Sequence, residues 1–308
     1  MTTNSFELAV VGHFSIDSLK LPNRSKPYTV LGGAVAYVSL VTRRLGGTVA
    51  VISKVGKDFP QAYTQRLREE GVDLSSVAKT EDEWTTSFGL TYNNDLSART
   101  LKLRHHCSPI TKADLPSALS AKAIHIAPIA AEIPFEVVEH LKNYTNCISI
   151  DPQGMTRRFD EEGNVACCAQ MDKRILPLVN IYKSSVDEIE VLTGQSDINK
   201  AILAVHDLGP QIVIATMGAQ GSLLSVKGEI FPVTACKSKW VVDPTGAGDV
   251  FIGAFLSEYI QQKEPSWCAC VGSAAASLVV EDVGTTFFGE KTEIYRRARL
   301  IYEKEIKQ

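Results

Sequence analysis

Short apolar runs alternate along the chain with longer mixed stretches. The runs fall at 8–11, 49–53, 123–126, 147–150, 181–183 and 212–216, and each reads as a buried strand. Between them, 34–45, 61–70, 134–143, 187–193 and 199–208 read as helices. The last third holds an apolar run from Val250 to Ile260 with the length and bulk of a buried helix. A second helix-like stretch, 267–280, contains Ala274-Ala275-Ala276-Ser277, small enough for close packing. Strand and helix in alternation predict an α/β fold with a mostly parallel sheet covered by helices on both faces.

Two segments break this alternation. Residues 85–92 and 99–104 read as strands around the turn Asn93-Asn94-Asp95, and 14–30 reads as extended chain punctuated by Pro22 and Pro27. Neither fits a βαβ unit. The hairpin carries Phe88, Leu90 and Tyr92 on one strand and Leu101 and Leu103 on the other, at a period of two. An apolar face of that kind needs a covering partner, which favours a lid over a decorative surface hairpin.

Length and composition add bounds. The chain has 308 residues, enough for one large α/β domain or a domain with a subdomain. With 32 basic and 35 acidic residues it carries a net charge of −3, and no bias points to nucleic acid or a membrane surface. The opening Met1-Thr2-Thr3-Asn4-Ser5-Phe6-Glu7 has no basic segment followed by an apolar one, so no secretory leader and a cytoplasmic location are expected. No apolar run approaches the roughly 18 residues that span a bilayer. The seven cysteines include no Cys-x-x-Cys, and reduced thiols are expected. Asn23-Arg24-Ser25 and Asn143-Tyr144-Thr145 match the glycosylation sequon but mean little without a leader.

The chemistry concentrates in Val242-Asp243-Pro244-Thr245-Gly246-Ala247-Gly248-Asp249, directly before the apolar run. The glycines let the backbone turn tightly and aim successive amides at one point. A helix starting beside Asp249 adds unpaired N–H groups and the positive end of its dipole, which together make an anion site. An Asp set against such a site makes sense if it takes a proton from a group attacking phosphate. The alternative is a helix N-cap Asp after a glycine turn.

Asp-x-Thr-Gly-Ala-Gly-Asp before an apolar helix resembles the C-terminal motif of the ribokinase-like (PfkB) carbohydrate kinases. The resemblance runs from Gly12 to about Gly284. It implies one kinase domain over 1–308, with lid segments at 14–30 and 85–104 over the sugar site. It also implies that Asp249 is the catalytic base and that the amides of Gly246, Ala247 and Gly248 form the anion hole. Asp17, after the first strand, matches the family's substrate-hydroxyl carboxylate, in a segment where His13 replaces a common Asn. Gly32-Gly33 matches the N-terminal glycine pair, with Tyr37 where many sugar kinases have Asn. Gln153 and Arg157, in Asp151-Pro152-Gln153-Gly154-Met155-Thr156-Arg157, are expected at the substrate or phosphate, the alternative being a solvated loop. Lys183, Ser185, Thr216, Gly218 and Gly221 are expected to hold nucleotide, although Thr216–Gly221 also suits a plain hairpin turn. Glu188 is expected to support Mg²⁺ through water, the alternative being a helix-start carboxylate. Asp243 and Thr245 are expected at a monovalent cation, K⁺ in some relatives.

The implied reaction is phosphoryl transfer from ATP to a hydroxyl of a small polyol. The Asp-Pro-Gln-Gly-x-x-Arg and Lys-x-Ser patterns, with an aromatic at 37, look most like myo-inositol kinases. Ribokinase, fructokinase and nucleoside kinase activities stay open, as does a catalytically silent sugar- or nucleotide-binding regulator. A homodimer through the lid is left open as the only protein partner. Walker, Gly-x-Gly-x-x-Gly and His-Glu-x-x-His patterns are absent.

Overall fold

The computed structural model describes residues 5–22 and 24–306. The leader expectation rests partly on Met1–Asn4, which lie outside the described residues, as does the sequon residue Asn23.

The elements are β1 (Ser5–Val11), β2 (Ser15–Lys20), β3 (Tyr28–Gly32), α1 (Ala34–Arg44), β4 (Val49–Val55), α2 (Gln61–Glu69), β5 (Val72–Lys79), β6 (Ser87–Tyr92), β7 (Arg99–His105), β8 (Ser120–Ile126), α3 (Phe135–Leu141), β9 (Ile148–Ile150), β10 (Arg157–Phe159) and β11 (Val165–Cys167). They continue with β12 (Ile181–Ser185), α4 (Val186–Thr193), α5 (Ile198–His206), β13 (Ile212–Thr216), β14 (Ser222–Val226), β15 (Glu229–Val233), α6 (Ala247–Tyr259), α7 (Pro265–Val279) and α8 (Lys291–Ile306).

The main sheet has nine strands in the order β15-β14-β13-β12-β9-β8-β1-β4-β5. From β13 to β5 the pairings are parallel; β14 and β15 are added antiparallel at one edge. Strand β1 shows why both faces are covered. Leu8 and Val10 join a core with α1, α6 and α7, while Ala9 and Val11 join another with α3, α4 and α5. Successive side chains on a strand point to opposite faces, so an unbroken apolar run demands helices on both.

The lid is a separate sheet ordered β3-β2-β6-β7. Phe88, Leu90 and Tyr92 are buried, so the period-two face found its covering partner. The β10–β11 hairpin braces it through the Lys102–Asn164 bridge and the Leu103 amide bonded to the Gly163 carbonyl. Strand β7 forms the lid's outer edge, with Arg99, Lys102 and Arg104 exposed. Among the described residues no helix is long and apolar enough to cross a membrane, and all seven cysteines are free.

Candidate active site

The site lies at the carboxyl edge of the parallel strands, where open α/β sheets bind ligands. Helix α6 opens it. Its N-cap, Gly246, has φ 78°, in the left-handed region that glycine adopts at little cost. A Cβ there would also run into the Tyr37 ring. At Gly248 a Cβ would stand 2.6 Å from Lys183 Nζ, so the missing side chain lets an ammonium approach the helix N-terminus. Asp249 follows on the first turn.

Asp249 sits in a web of fixed groups. Its Oδ1 accepts from Gln153 Nε2 at 2.9 Å, and Gln153 Oε1 accepts from Arg157 Nη2 at 2.8 Å. Arg157 Nη1 donates to the Ile129 carbonyl at 2.8 Å. Lys183 makes a buried ion pair of 2.5 Å with Asp151. Burial and the Asp151 charge raise the Asp249 pKa, and Lys183, Arg157 and Arg99 oppose the rise.

Across a narrow cleft stand Asp17 from β2 and Tyr37 from α1. Asp17 is 6% exposed, and burial pushes its pKa up to about 6. Its Oδ1 accepts from the Phe88 amide at 3.3 Å. Tyr37 is 2% exposed, and its hydroxyl has no hydrogen-bond partner among the described residues. Burial, then the carboxylates of Asp243, Asp17 and Asp249, hold its phenol well above the usual range. One edge of its ring lies against Gly246.

The structure thus brings Asp17, Gly33, Tyr37, Gln153, Arg157, Thr245, Gly246 and Asp249 to one cleft. Gly32 lies beneath the Asp17 carboxylate. Gln153, expected to face substrate, has both ends of its amide engaged by protein groups. Lys183 is committed to Asp151. Ser185 and Glu188 form a capping box at α4, with Glu188 Oε2 accepting from the Ser185 amide at 2.8 Å and hydroxyl at 2.9 Å. Thr216 ends β13 and donates to the Ser184 carbonyl at 3.2 Å, and Gly218 and Gly221 make the turn into β14. Asp243 clamps two backbone segments, accepting from the Thr245 amide at 2.9 Å and the Gly284 amide at 2.8 Å.

Sequence reasoning placed the lid segments but missed how the lid is joined to the site. Arg99 donates to the Tyr92 hydroxyl at 3.1 Å, and a 2.9 Å hydrogen bond joins that hydroxyl to Thr245. Glu132 was missed as well. Fully buried, it accepts from the amides of His13, Ile129 and Ala130 and so fixes the loop that anchors Arg157. Nothing in local pattern marks these residues, because their partners are distant in sequence.

A carboxylate on the first turn of a helix, a second buried carboxylate across the cleft and a small separate sheet beside both stand on a ribokinase-like fold. The chain matches the pfkB family carbohydrate kinases over residues 6–292 and belongs to that family. It is a phosphotransferase of the sugar and nucleoside kinase kind. It is 28% identical to a cytidine kinase of Thermococcus kodakarensis over 90% of this chain and 97% of that one. It is 29% identical to an inositol 3-kinase of Oryza sativa subsp. japonica over 97% of this chain and 74% of the relative. In fold it is similar to a pyrophosphate-dependent kinase of the ribokinase family complexed with a pyrophosphate analog and myo-inositol. That likeness has a TM-score of 0.79 at 22% identity and covers 94% of this chain and 99% of the other. A ribokinase of Arabidopsis thaliana complexed with ribose and ATP gives 0.73 at 22% identity, over 96% and 99%.

Proposed function

We propose that this chain phosphorylates a hydroxyl of a small polyol, myo-inositol first among them, with ATP as donor. The observation that carries the reading is the cleft itself. Asp249 shares it with a buried carboxylate, Asp17, and a buried hydroxyl, Tyr37, that has no hydrogen-bond partner among the described residues. Groups of that kind match a molecule that presents hydroxyls on several sides. A site built to pair hydroxyls discriminates strongly against acceptors that lack them. The cleft encloses about 50 Å³ with the lid in place. A compact ring polyol therefore demands less lid displacement than a nucleoside does.

In the reaction the acceptor O–H proton passes to Asp249 while the oxygen's electron pair bonds to the γ-phosphorus. The bond from that phosphorus to the bridging oxygen breaks, and its pair leaves on ADP. The amides of Gly246 and Gly248, with that of Ala247, which here makes a long 3.4 Å bond to the Pro244 carbonyl, face the charge spread over the transferred group, and Lys183 stands beside them. Thr216, Gly218 and Gly221 border the donor at the end of β13. Mg²⁺, when bound, offsets the charge of the donor phosphates. Among the described residues no cluster of three or more His, Cys, Asp or Glu side chains is placed to chelate a metal. One anchored carboxylate, Glu188, fits a contact through water. Asp243 is buried and has no ion pair among the described residues, which fits K⁺ beside it and Thr245.

A second reading, nucleoside phosphorylation, is favoured by the likeness to the cytidine kinase. One competition separates the two, with myo-inositol, ribose, fructose, adenosine and cytidine at equal concentration with Mg-ATP. Myo-inositol should show the highest kcat/KM. A nucleoside or furanose about tenfold better would overturn the acceptor while leaving the kinase. No turnover with any acceptor would favour a binding regulator.

A further inference from the structure

We propose that Gln153 is the positioning residue of the base: locked by Arg157, its amide holds Oδ1 of Asp249 and leaves Oδ2 as the oxygen presented to the acceptor. The inference rests on Asp249 being the base. It differs from the expectation that Gln153 contacts substrate.

The orientation of the amide is determined by its two neighbours. A guanidinium only donates, so Oε1 must face Arg157. That leaves Nε2 to face Asp249, which as a carboxylate only accepts. Arg157 cannot drift, because its other nitrogen is bonded to the Ile129 carbonyl at 2.8 Å. Ile129 is held in turn by its amide on the buried Glu132 carboxylate at 3.0 Å. Fixed contacts therefore run from Glu132 through Ile129, Arg157 and Gln153 to Asp249. The other oxygen, Oδ2, has no hydrogen bond among the described residues.

This arrangement matters because the last torsion of an aspartate is soft and two-fold. Without a donor on Oδ1 the carboxylate samples orientations in which neither oxygen meets the acceptor O–H. The donor also favours the charged form, the one that can take a proton. The groups facing Asp249 are Asp151 after β9, Arg157 on β10, Lys183 on β12 and Arg99 on β7, with Asp17 and Tyr37 across the cleft. None of these makes a side-chain hydrogen bond to the carboxylate; among the described residues Gln153 does.

The test compares Gln153→Ala, Gln153→Glu, Arg157→Lys and the Ala/Lys double variant with the parent enzyme and Asp249→Asn. The readouts are kcat, acceptor KM and the acid limb of the kcat–pH profile. Gln153→Ala should lower kcat about 10- to 100-fold, the scale of a misaligned reacting group. Acceptor KM should change little, and the acid limb should move to higher pH. Gln153→Glu keeps an acceptor for Arg157 but sets a carboxylate against Asp249, so its acid limb should move further. Arg157→Lys keeps the charge and loosens the amide, and adding it to Gln153→Ala should cost little more. A raised acceptor KM with kcat and acid limb unmoved would make Gln153 a substrate contact and overturn the proposal. Full additivity in the double variant would overturn the link through Arg157. Wild-type turnover in Asp249→Asn would instead remove the base on which the proposal rests.

Discussion

At the scale of single residues, the parts legible in the sequence are those that act through backbone. Gly246, Gly248 and Asp249 announce a tight turn, a helix start and a carboxylate in eight consecutive positions, and the structure seats them that way. Residues that act through distant partners were not legible. Gln153 reads as a loop amide until Asp249, 96 positions later, is found beside it. Replacing Asp249 with Asn should keep the fold and lower kcat by roughly 100-fold or more, the scale of a lost general base. Wild-type turnover in that variant would remove the role. Asp17 supplies a pH dependence. Ionised, it accepts hydroxyl donors on both oxygens and more strongly than the neutral acid does, and burial pushes its pKa up to about 6. The charge is present above that value and is lost as pH falls through it. Acceptor KM should therefore be level on the neutral side and rise below about 6. A KM that stays flat across the acid range would mean that Asp17 does not bind the acceptor.

At the scale of elements, the hydrophobic pattern located the parallel strands other than β5, and the lid hairpin, because each has one strong periodicity. It missed β5 and β15, which mix exposed and half-buried positions, β14, where buried Ser222 and Ser225 interrupt the apolar run, and the short β10–β11 hairpin. It also missed α8, whose surface is largely polar. Exposed elements carry a weak apolar signal because tertiary contacts settle them. What the pattern could not give is how the lid is fastened. Tyr92 ties β6 to Thr245 of the catalytic turn, and Arg99 of β7 backs it. The lid sheet and the turn proposed as the anion hole thereby share a residue. Tyr92→Phe keeps the apolar packing and removes both bonds. A neutral hydrogen bond contributes about 0.5–1.5 kcal/mol, so acceptor KM should rise about 2- to 10-fold. ATP hydrolysis without acceptor should rise too, because a loosened lid admits water. If neither quantity changes, apolar packing alone closes the lid.

At the scale of the whole molecule, the C-terminal helix supports the 242–249 segment from behind. Arg297 of α8 is 5% exposed and pairs with Glu281 at 2.9 Å. The same Glu281 oxygen accepts from the Lys239 amide at 2.9 Å, and the Glu281 carbonyl accepts from Trp240 at 2.9 Å. The Val242 amide then bonds to Val280 at 2.8 Å, immediately before Asp243. The chain leading into the anion hole is thus hung on the end of α7, which α8 holds in place. Arg297→Ala would leave Glu281 buried without its partner, a loss of about 3–5 kcal/mol. Such a loss should lower Tm by several degrees, while kcat per folded molecule stays near normal because nothing in the cleft is touched. Replacing both partners with apolar residues, Glu281→Leu with Arg297→Met, removes the orphaned charge, and such exchanges are often neutral or better. Recovery should nevertheless be incomplete, because the Lys239 amide then lacks its acceptor at a cost of about 1–3 kcal/mol. A double variant as stable as the parent would mean that the Lys239 contact is idle. A single variant as stable as the parent would mean that α8 does not hold the motif at all.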